Sequence, residues 1–242
     1  MTAPDILLVV PSYRDGARLA EFLPKLCTEL ARGPGGVRLQ VVDDGSPAAE
    51  QIWLTAEIDR VRRVHPFLQP LLVQPANRGK GRAVRAGWAT ATGQRWLAFV
   101  DADGAAPAAE VAALLEQARQ ADQPAVHVAV RAAAPGKPVE RFWHRRLGSR
   151  IFNAWVRFCL GLKLADTQCG LKVIPASLHA GSVWREEGFA FDLELLLHAR
   201  AAGLPVVTRA IAWREQAGSS VGAGAVCGLF AATWRLRRTG PA

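Results

Sequence analysis

Between residues 6 and 130, short apolar runs alternate with longer stretches of helical periodicity. The runs at 6–10, 39–42, 71–73, 96–100 and 126–130 read as buried strands, the first of them stopped by Pro11. The segments 19–31, 51–64, 80–91 and 110–121 space their apolar residues as helices do. Short strands alternating with helices predict an α/β fold, a mostly parallel sheet flanked by helices on both faces.

Beyond residue 130 the pattern changes. Residues 132–138 form a connector of Ala, Pro, Gly and Lys. Residues 141–162 form a long amphipathic stretch that sets Trp143, Phe152, Trp155 and Phe158 among arginines. A helix is expected at 191–202 and a strand at 206–213. Residues 221–234 are apolar and rich in small residues, and the chain then turns basic. The expected division is one domain over 1–220, with halves at 1–130 and 131–220, followed by a basic amphipathic segment at 221–242.

Half the residues are hydrophobic and 21% are charged, a composition that excludes wholesale disorder. No run of about 18 apolar residues occurs, which argues against a membrane span. The N-terminus reaches an acid at once without a basic region, so it does not read as a signal peptide. Cys27, Cys159, Cys169 and Cys227 lie far apart with no CxxC pair, which argues against a zinc site or a disulfide framework and fits a reducing cytosol. The formal net charge is +9, with basic clusters at 141–157 and 235–238. Such a surface suits phosphate-bearing partners (nucleic acid, anionic lipid, a phosphorylated small molecule) or is simply solvated.

In an open parallel sheet, ligands bind outside the carboxyl ends of the strands. Three such ends carry polar groups here: Pro11-Ser12-Tyr13-Arg14-Asp15, Asp43-Asp44-Gly45-Ser46 and Asp101-Ala102-Asp103-Gly104. Taken singly, Asp43-Asp44-Gly45-Ser46 reads more readily as a plain strand-to-helix turn, and Asp101 with Asp103 equally well as a turn with a helix cap. Together they bring carboxylates to one sheet edge, where crowded negative charge calls for a divalent cation with oxygen ligands. Asn77-Arg78-Gly79-Lys80-Gly81-Arg82 opens a helix and can receive a phosphate on its backbone amides and cations. No GxGxxG follows the first strand and no GxxxxGK[ST] occurs, which disfavours a dinucleotide site and a P-loop.

These motifs resemble those of family 2 glycosyltransferases of GT-A fold. Asp166-Thr167-Gln168-Cys169-Gly170-Leu171-Lys172, then 189–196, sharpen the likeness toward the dolichyl- or polyprenyl-phosphate β-glucosyltransferase branch. Arg141, Arg145, Trp213-Arg214-Glu215 and Gly218-Ser219 extend it. The resemblance implies metal-dependent, inverting transfer of a hexose from a nucleotide sugar, UDP-glucose or similar, to a polyprenyl phosphate. It places Pro11, Tyr13, Asp15 and Asp44 around base and ribose, with Asp43 supporting their loop. Arg78 and Lys80 would face the diphosphate or the uracil edge. Asp101, with Ala102 beside it, would hold ribose or metal, and Asp103 would ligate Mg2+ or Mn2+.

Arg141 and Arg145, four residues apart on one expected helix face, would clamp an acceptor phosphate. A phosphate monoester needs no strong base, whereas a sugar hydroxyl would. For the latter case Asp192 is the candidate base, with Asp166 and Gln168 lining the site. The sequence departs from the family at Pro47-Ala48-Ala49, where an acid often stands, at Arg14-Asp15 in place of Asn-Glu, and at Gly104-Ala105 after Asp103. Without a recognisable span, the expectation is a cytoplasmic protein, peripheral on the inner face of the membrane through 221–234 and a second arginine-aromatic face at 141–157; the alternative for 221–234 is a helix packed on the catalytic domain. The alternatives are a non-lipid acceptor and, less favoured, a nucleotidyltransferase. Nucleic-acid binding is not expected, because no such motif occurs.

Overall fold

The computed structural model describes residues 5–132, 134–140, 142–216 and 223–240. The alternating half runs β1 (Ile6–Ser12), α1 (Gly16–Arg32), β2 (Val37–Asp43), α2 (Ala48–Arg62), β3 (Leu72–Val73), α3 (Lys80–Trp88), β4 (Trp96–Val100), α4 (Ala108–Arg119) and β5 (Val126–Val130). The second half adds β6 (Val139–Glu140), α5 (Trp143–Leu160), β7 (Leu171–Pro175), α6 (Ala176–Ala180), α7 (Phe191–Ala201), β8 (Val206–Ala210), β9 (Trp213–Arg214) and α8 (Ala223–Thr239).

Seven strands form one sheet in the order β3-β2-β1-β4-β7-β5-β8. All pairings are parallel except those of β7, which runs antiparallel to both β4 and β5. β4 and β5 are buried along their whole length, as continuous apolar runs covered on both faces must be. Two apolar cores result, one on each face of the sheet. Because β7 is reversed, the loop that enters it, residues 166–170, arrives at the same edge as the carboxyl ends of β1, β2 and β4. That insertion was not legible in the run Leu171–Pro175, whose five residues look like any buried strand.

Two expectations are corrected, and the C-terminal segment takes the packed alternative. β1 continues through Pro11 to Ser12, because its ladder with β4 has ended at Val9–Phe99 and the proline breaks no bond there. The strand expected at 206–213 stops at Ala210, and Trp213 leaves the sheet to pair with Val139 in the separate β6–β9 ribbon. The apolar segment at the C-terminus is a packed helix: Phe230 of α8 meets Phe152 and Trp155 of α5 at ring-centroid distances of 5.3 and 5.9 Å, and Leu236 is buried. Val221 lies outside the described residues. Among the described residues no helix is long and apolar enough to cross a membrane.

Candidate functional site

A cavity of about 350 Å3 opens at the carboxyl edge of the sheet. Pro11, Tyr13 and Asp15 reach it from the end of β1, Asp44 from β2, Lys80 from α3, and Asp101, Ala102 and Asp103 from β4. Asp43 stays behind this surface. Its Oδ2 accepts hydrogen bonds from the Ser46 N–H at 2.9 Å and Gln51 Nε2 at 3.1 Å, which ties the β2–α2 turn. Asp15 pairs with Arg18 at 2.5 Å, and burial raises its pKa.

Asp44 clamps two loops together. Its carboxylate accepts the N–H groups of Arg78 and Gly79, the latter at 2.6 Å. The approach needs Gly45, whose φ is +76° and whose missing Cβ would stand 2.4 Å from the Ala76 backbone. Burial nonetheless raises the Asp44 pKa. The Arg78 side chain departs from expectation. Its backbone N–H serves Asp44, and its guanidinium turns outward to Glu187 at 3.4 Å, so it does not line the cavity.

Lys80 sits at the centre of a chain of alternating charges. Its Nζ lies 2.9 Å from Asp101 Oδ1 and 3.0 Å from Asp192 Oδ2. The other oxygen of Asp192 pairs with the fully buried Lys172, whose Nζ also donates to the Cys169 carbonyl at 2.7 Å. Burial pulls the Lys80 pKa down, but Asp101 and Asp192 hold it above the usual lysine range. Burial pushes the Asp192 pKa up, but Lys172 and Lys80 hold it below the usual carboxylate range.

Asp103, in contrast, is pushed up to about 6 by burial and by neighbouring Asp101, against the Ala105 N–H bond that favours its ionised form. Among the described residues no group of three or more His, Cys, Asp or Glu is arranged to hold a metal ion. Asp101 and Asp103 supply two carboxylates, and Mg2+ or Mn2+ commonly takes one or two with phosphate and water completing the shell. The repulsion that Asp101 adds at Asp103 is what a cation would relieve. The donor set therefore fits a divalent ion that a diphosphate helps to hold.

A second cavity of about 570 Å3 adjoins the first and shares Lys80, Asp101, Asp103 and Phe189 with it. Gln168, Asp192, Arg131 and Arg145 supply its polar wall. Ile151 and Phe152 of α5 and Val226, Leu229 and Phe230 of α8 supply its apolar wall. Arg145 reaches it paired to Glu215 at 2.9 Å. Arg141, Gly218 and Ser219 lie outside the described residues.

Asp166 was expected to line the site and instead stands behind it. It holds the Arg131 guanidinium in two hydrogen bonds of 2.6 and 2.8 Å. Burial would raise its pKa, but the Arg131 pairing brings it to about 2. Arg131, which also lies over the Trp213 ring, was missed because no motif surrounds a lone arginine just past β5. Lys172 and Gly170 stood inside a quoted motif, but nothing in their spacing announced what they touch.

Residues 7–179 match the model of the family Glycosyl transferase family 2. Human dolichyl-phosphate beta-glucosyltransferase is 30% identical over 231 residues, 88% of this chain and 68% of that protein. The polyprenol monophosphomannose synthase of Mycolicibacterium smegmatis is 27% identical over 221 residues, 87% of this chain and 77% of that protein. Among solved structures, glucosyl-3-phosphoglycerate synthase from Mycobacterium tuberculosis, in complex with Mn2+, UDP and glucosyl-3-phosphoglycerate, superposes with a TM-score of 0.65 at 18% identity, covering 99% of this chain and 81% of that one.

Proposed function

The chain belongs to glycosyl transferase family 2 and has the GT-A fold, and on that premise we propose that it transfers a hexose from a UDP-sugar, UDP-glucose or similar, to a polyprenyl phosphate with inversion at the anomeric carbon. The observation that carries this reading is the meeting of two unlike cavities at Lys80, Asp101 and Asp103. One is walled by carboxylates and loop backbone and suits a nucleotide sugar. The other combines two arginines with aliphatic and aromatic side chains and suits a phosphate carried on a lipid. The names of the two curated relatives, one a dolichyl-phosphate and one a polyprenol enzyme, support that acceptor class. The UDP and Mn2+ of the solved neighbour support the donor and the ion.

In the proposed reaction an acceptor phosphate oxygen attacks the anomeric carbon from the face opposite UDP. A new C–O–P linkage forms, the bond to the UDP oxygen breaks, and its electron pair leaves with the diphosphate. An Mg2+ or Mn2+ ion held by Asp101 and Asp103 would stabilise the charge that builds there. Tyr13, Asp15 and Asp44 orient the nucleoside, and Lys80 offers positive charge where the cavities meet. Arg131 and Arg145 hold the acceptor phosphate, with Asp166 fixing the first and Glu215 the second. A phosphate monoester is largely dianionic at neutral pH, its second pKa being about 6, so no proton has to be removed. Asp192 agrees with that: both of its oxygens are engaged by lysines and its pKa is lowered, which suits an ionic support better than a base.

We also place the acceptor end against a membrane surface. Trp143, Leu147, Ile151 and Phe158 follow one another along a face of α5 and are exposed at 76, 51, 56 and 73%. Exposed Arg146, Arg150 and Arg157 flank them, and neither α5 nor α8 contains an acidic residue. Ile151 belongs both to this stripe and to the wall of the second cavity. Apart from Phe158, one residue beyond, the stripe falls in the arginine-aromatic stretch 141–157, whereas α8 spends Leu229, Phe230 and Leu236 on α5 and the core and adds its exposed basic end to that surface.

The test is transfer of label from radioactive UDP-glucose, with Mn2+, to undecaprenyl phosphate in detergent and to soluble sugars and 3-phosphoglycerate in parallel. Label in the organic phase is expected. Label confined to water-soluble product would overturn the lipid acceptor and favour a soluble one.

A further inference from the structure

We infer that the buried Lys172–Asp192 pair positions the Lys80 ammonium where the two cavities meet, and that it affects transfer through Lys80. The inference rests on the proposed reading of that junction as the place of transfer. Lys172 lines neither cavity. It is a fully buried lysine on the reversed strand β7, and Asp192 is a fully buried carboxylate in the first turn of α7. Burying such a pair costs several kcal/mol per ion, and apolar residues of similar volume commonly pack at least as well. Packing therefore does not explain the pair; the geometry around it does.

Lys80 is a compact charge on a flexible four-carbon stem. One carboxylate, Asp101, would leave that stem free to swing. The second, Asp192, stands 3.0 Å from the same ammonium and, with Asp101 at 2.9 Å, makes the position a bracket. Asp192 can serve only if it stays ionised and keeps its rotamer, and the Lys172 ammonium on its other oxygen provides both. Lys172 is anchored in turn by the Cys169 carbonyl at 2.7 Å. The next residue, Gly170, is the one whose missing side chain leaves room for the Asp101 carboxylate. One short segment, 169–172, thus sets both carboxylates that flank Lys80. Lys172 is in these terms a positioning residue.

The experiment uses the full chain with Lys172→Met and Asp192→Leu combined, which removes both charges without stranding either, made in the wild-type and in the Lys80→Met background. In the wild-type background kcat for UDP-glucose is expected to fall roughly 10- to 100-fold, the scale of a misplaced group at a reacting centre, with a cooperative melt retained. In the Lys80→Met background the same pair of changes should cost kcat far less than in the wild-type background. Equal losses in both backgrounds, or no loss in the first, would overturn the inference. Asp192→Asn, which keeps the shape and removes the negative charge, gives the same comparison if the double variant does not fold.

A second readout needs no activity. Acetylation of Lys80 by an amine-reactive ester, followed by mass spectrometry, should be several-fold faster when the pair is removed. Unchanged labelling of Lys80 would overturn the bracket. If the wild-type protein transfers no hexose to undecaprenyl phosphate, the proposed function fails while the labelling still decides the role of the pair.

Discussion

A Cβ on Gly170 would stand 1.6 Å from Oδ2 of Asp101 and 2.1 Å from its carboxyl carbon. The two residues are also joined along the chain, since the Asp101 N–H donates to the Gly170 carbonyl at 2.9 Å. The backbone therefore cannot retreat without breaking the β4–β7 edge, and the carboxylate must move instead. Gly170→Ala should lower kcat at least about tenfold, because a displaced group at a reacting centre costs on that scale. It should weaken Mn2+ binding in parallel, while overpacking costs about 1–3 kcal/mol of stability. Steady-state kinetics, Mn2+ titration and a melt check this. Wild-type kcat in a folded Gly170→Ala protein would show that Asp101 need not stand where it does.

Asp103→Ala should abolish metal-stimulated transfer and leave the fold intact. The side chain sits at a strand end in contact with both cavities, where burial and the neighbouring Asp101 push its pKa up to about 6. Removing it takes away a ligand and relieves repulsion with Asp101, so the melting temperature should hold or rise without metal. Full activity of the variant, or wild-type activity undiminished by EDTA, would refute the assignment.

How much of this was legible in the sequence follows from which contacts are local. The strand ends Ser12, Asp43 and Val100 lie close to turns whose residues are contiguous, so Tyr13, Asp15, Asp44 and Asp103 could be placed by pattern alone. Arg131 and Lys172 could not, because their partners Asp166 and Asp192 stand on other elements. The reversed β7 decides both pairings, and antiparallel insertion leaves no mark in a run of five apolar-rich residues. The Arg78 side chain misled for a related reason: a basic loop beside glycines suggests phosphate, but the Glu187 that draws it away is distant in sequence. At the C-terminus, apolar periodicity pointed to an interface without saying which surface meets it, and α5 is that surface.

His127 gives a pH-dependent prediction. It is buried on β5, edge-on to Trp96 at 5.6 Å, and neither ring nitrogen has a hydrogen-bond partner among the described residues. Burial holds its pKa below the ordinary 6.5. The folded state thus keeps a neutral ring that the unfolded chain protonates at higher pH, so its contribution is present above pH 6.5 and lost as pH falls toward the folded pKa. Each unit below 6.5 costs up to about 1.4 kcal/mol until that pKa is reached. His179 and His198 are shifted the same way, also by burial. His127→Leu should therefore melt much like the wild type at pH 8 and lose less stability at pH 5.5, without abolishing the slope. An identical pH dependence of the two proteins would show that His127 is not protonated on unfolding in that range.

The α5 stripe predicts salt-sensitive binding to anionic vesicles. Inserting Trp143 and Phe158 would remove two large exposed rings from water, worth up to about 1.5–3 kcal/mol each. Basic residues near an anionic surface add about 1 kcal/mol each and are screened by salt. Arg237 and Arg238 of α8 belong to the same surface, with Arg237 lying over the Phe158 ring and both over Trp234. Deleting the C-terminal helix would confuse the test, because Leu236 is buried and Phe230 packs on Phe152. Point changes avoid this. Flotation with vesicles rich in phosphatidylglycerol should be strong at low salt and weaker at high salt. Trp143→Ser with Phe158→Ser should reduce it at every salt concentration, whereas Arg237→Gln with Arg238→Gln should reduce it chiefly at low salt. A wild-type protein that stays in the soluble fraction at low salt would refute membrane docking and shift the acceptor reading toward a soluble phosphate.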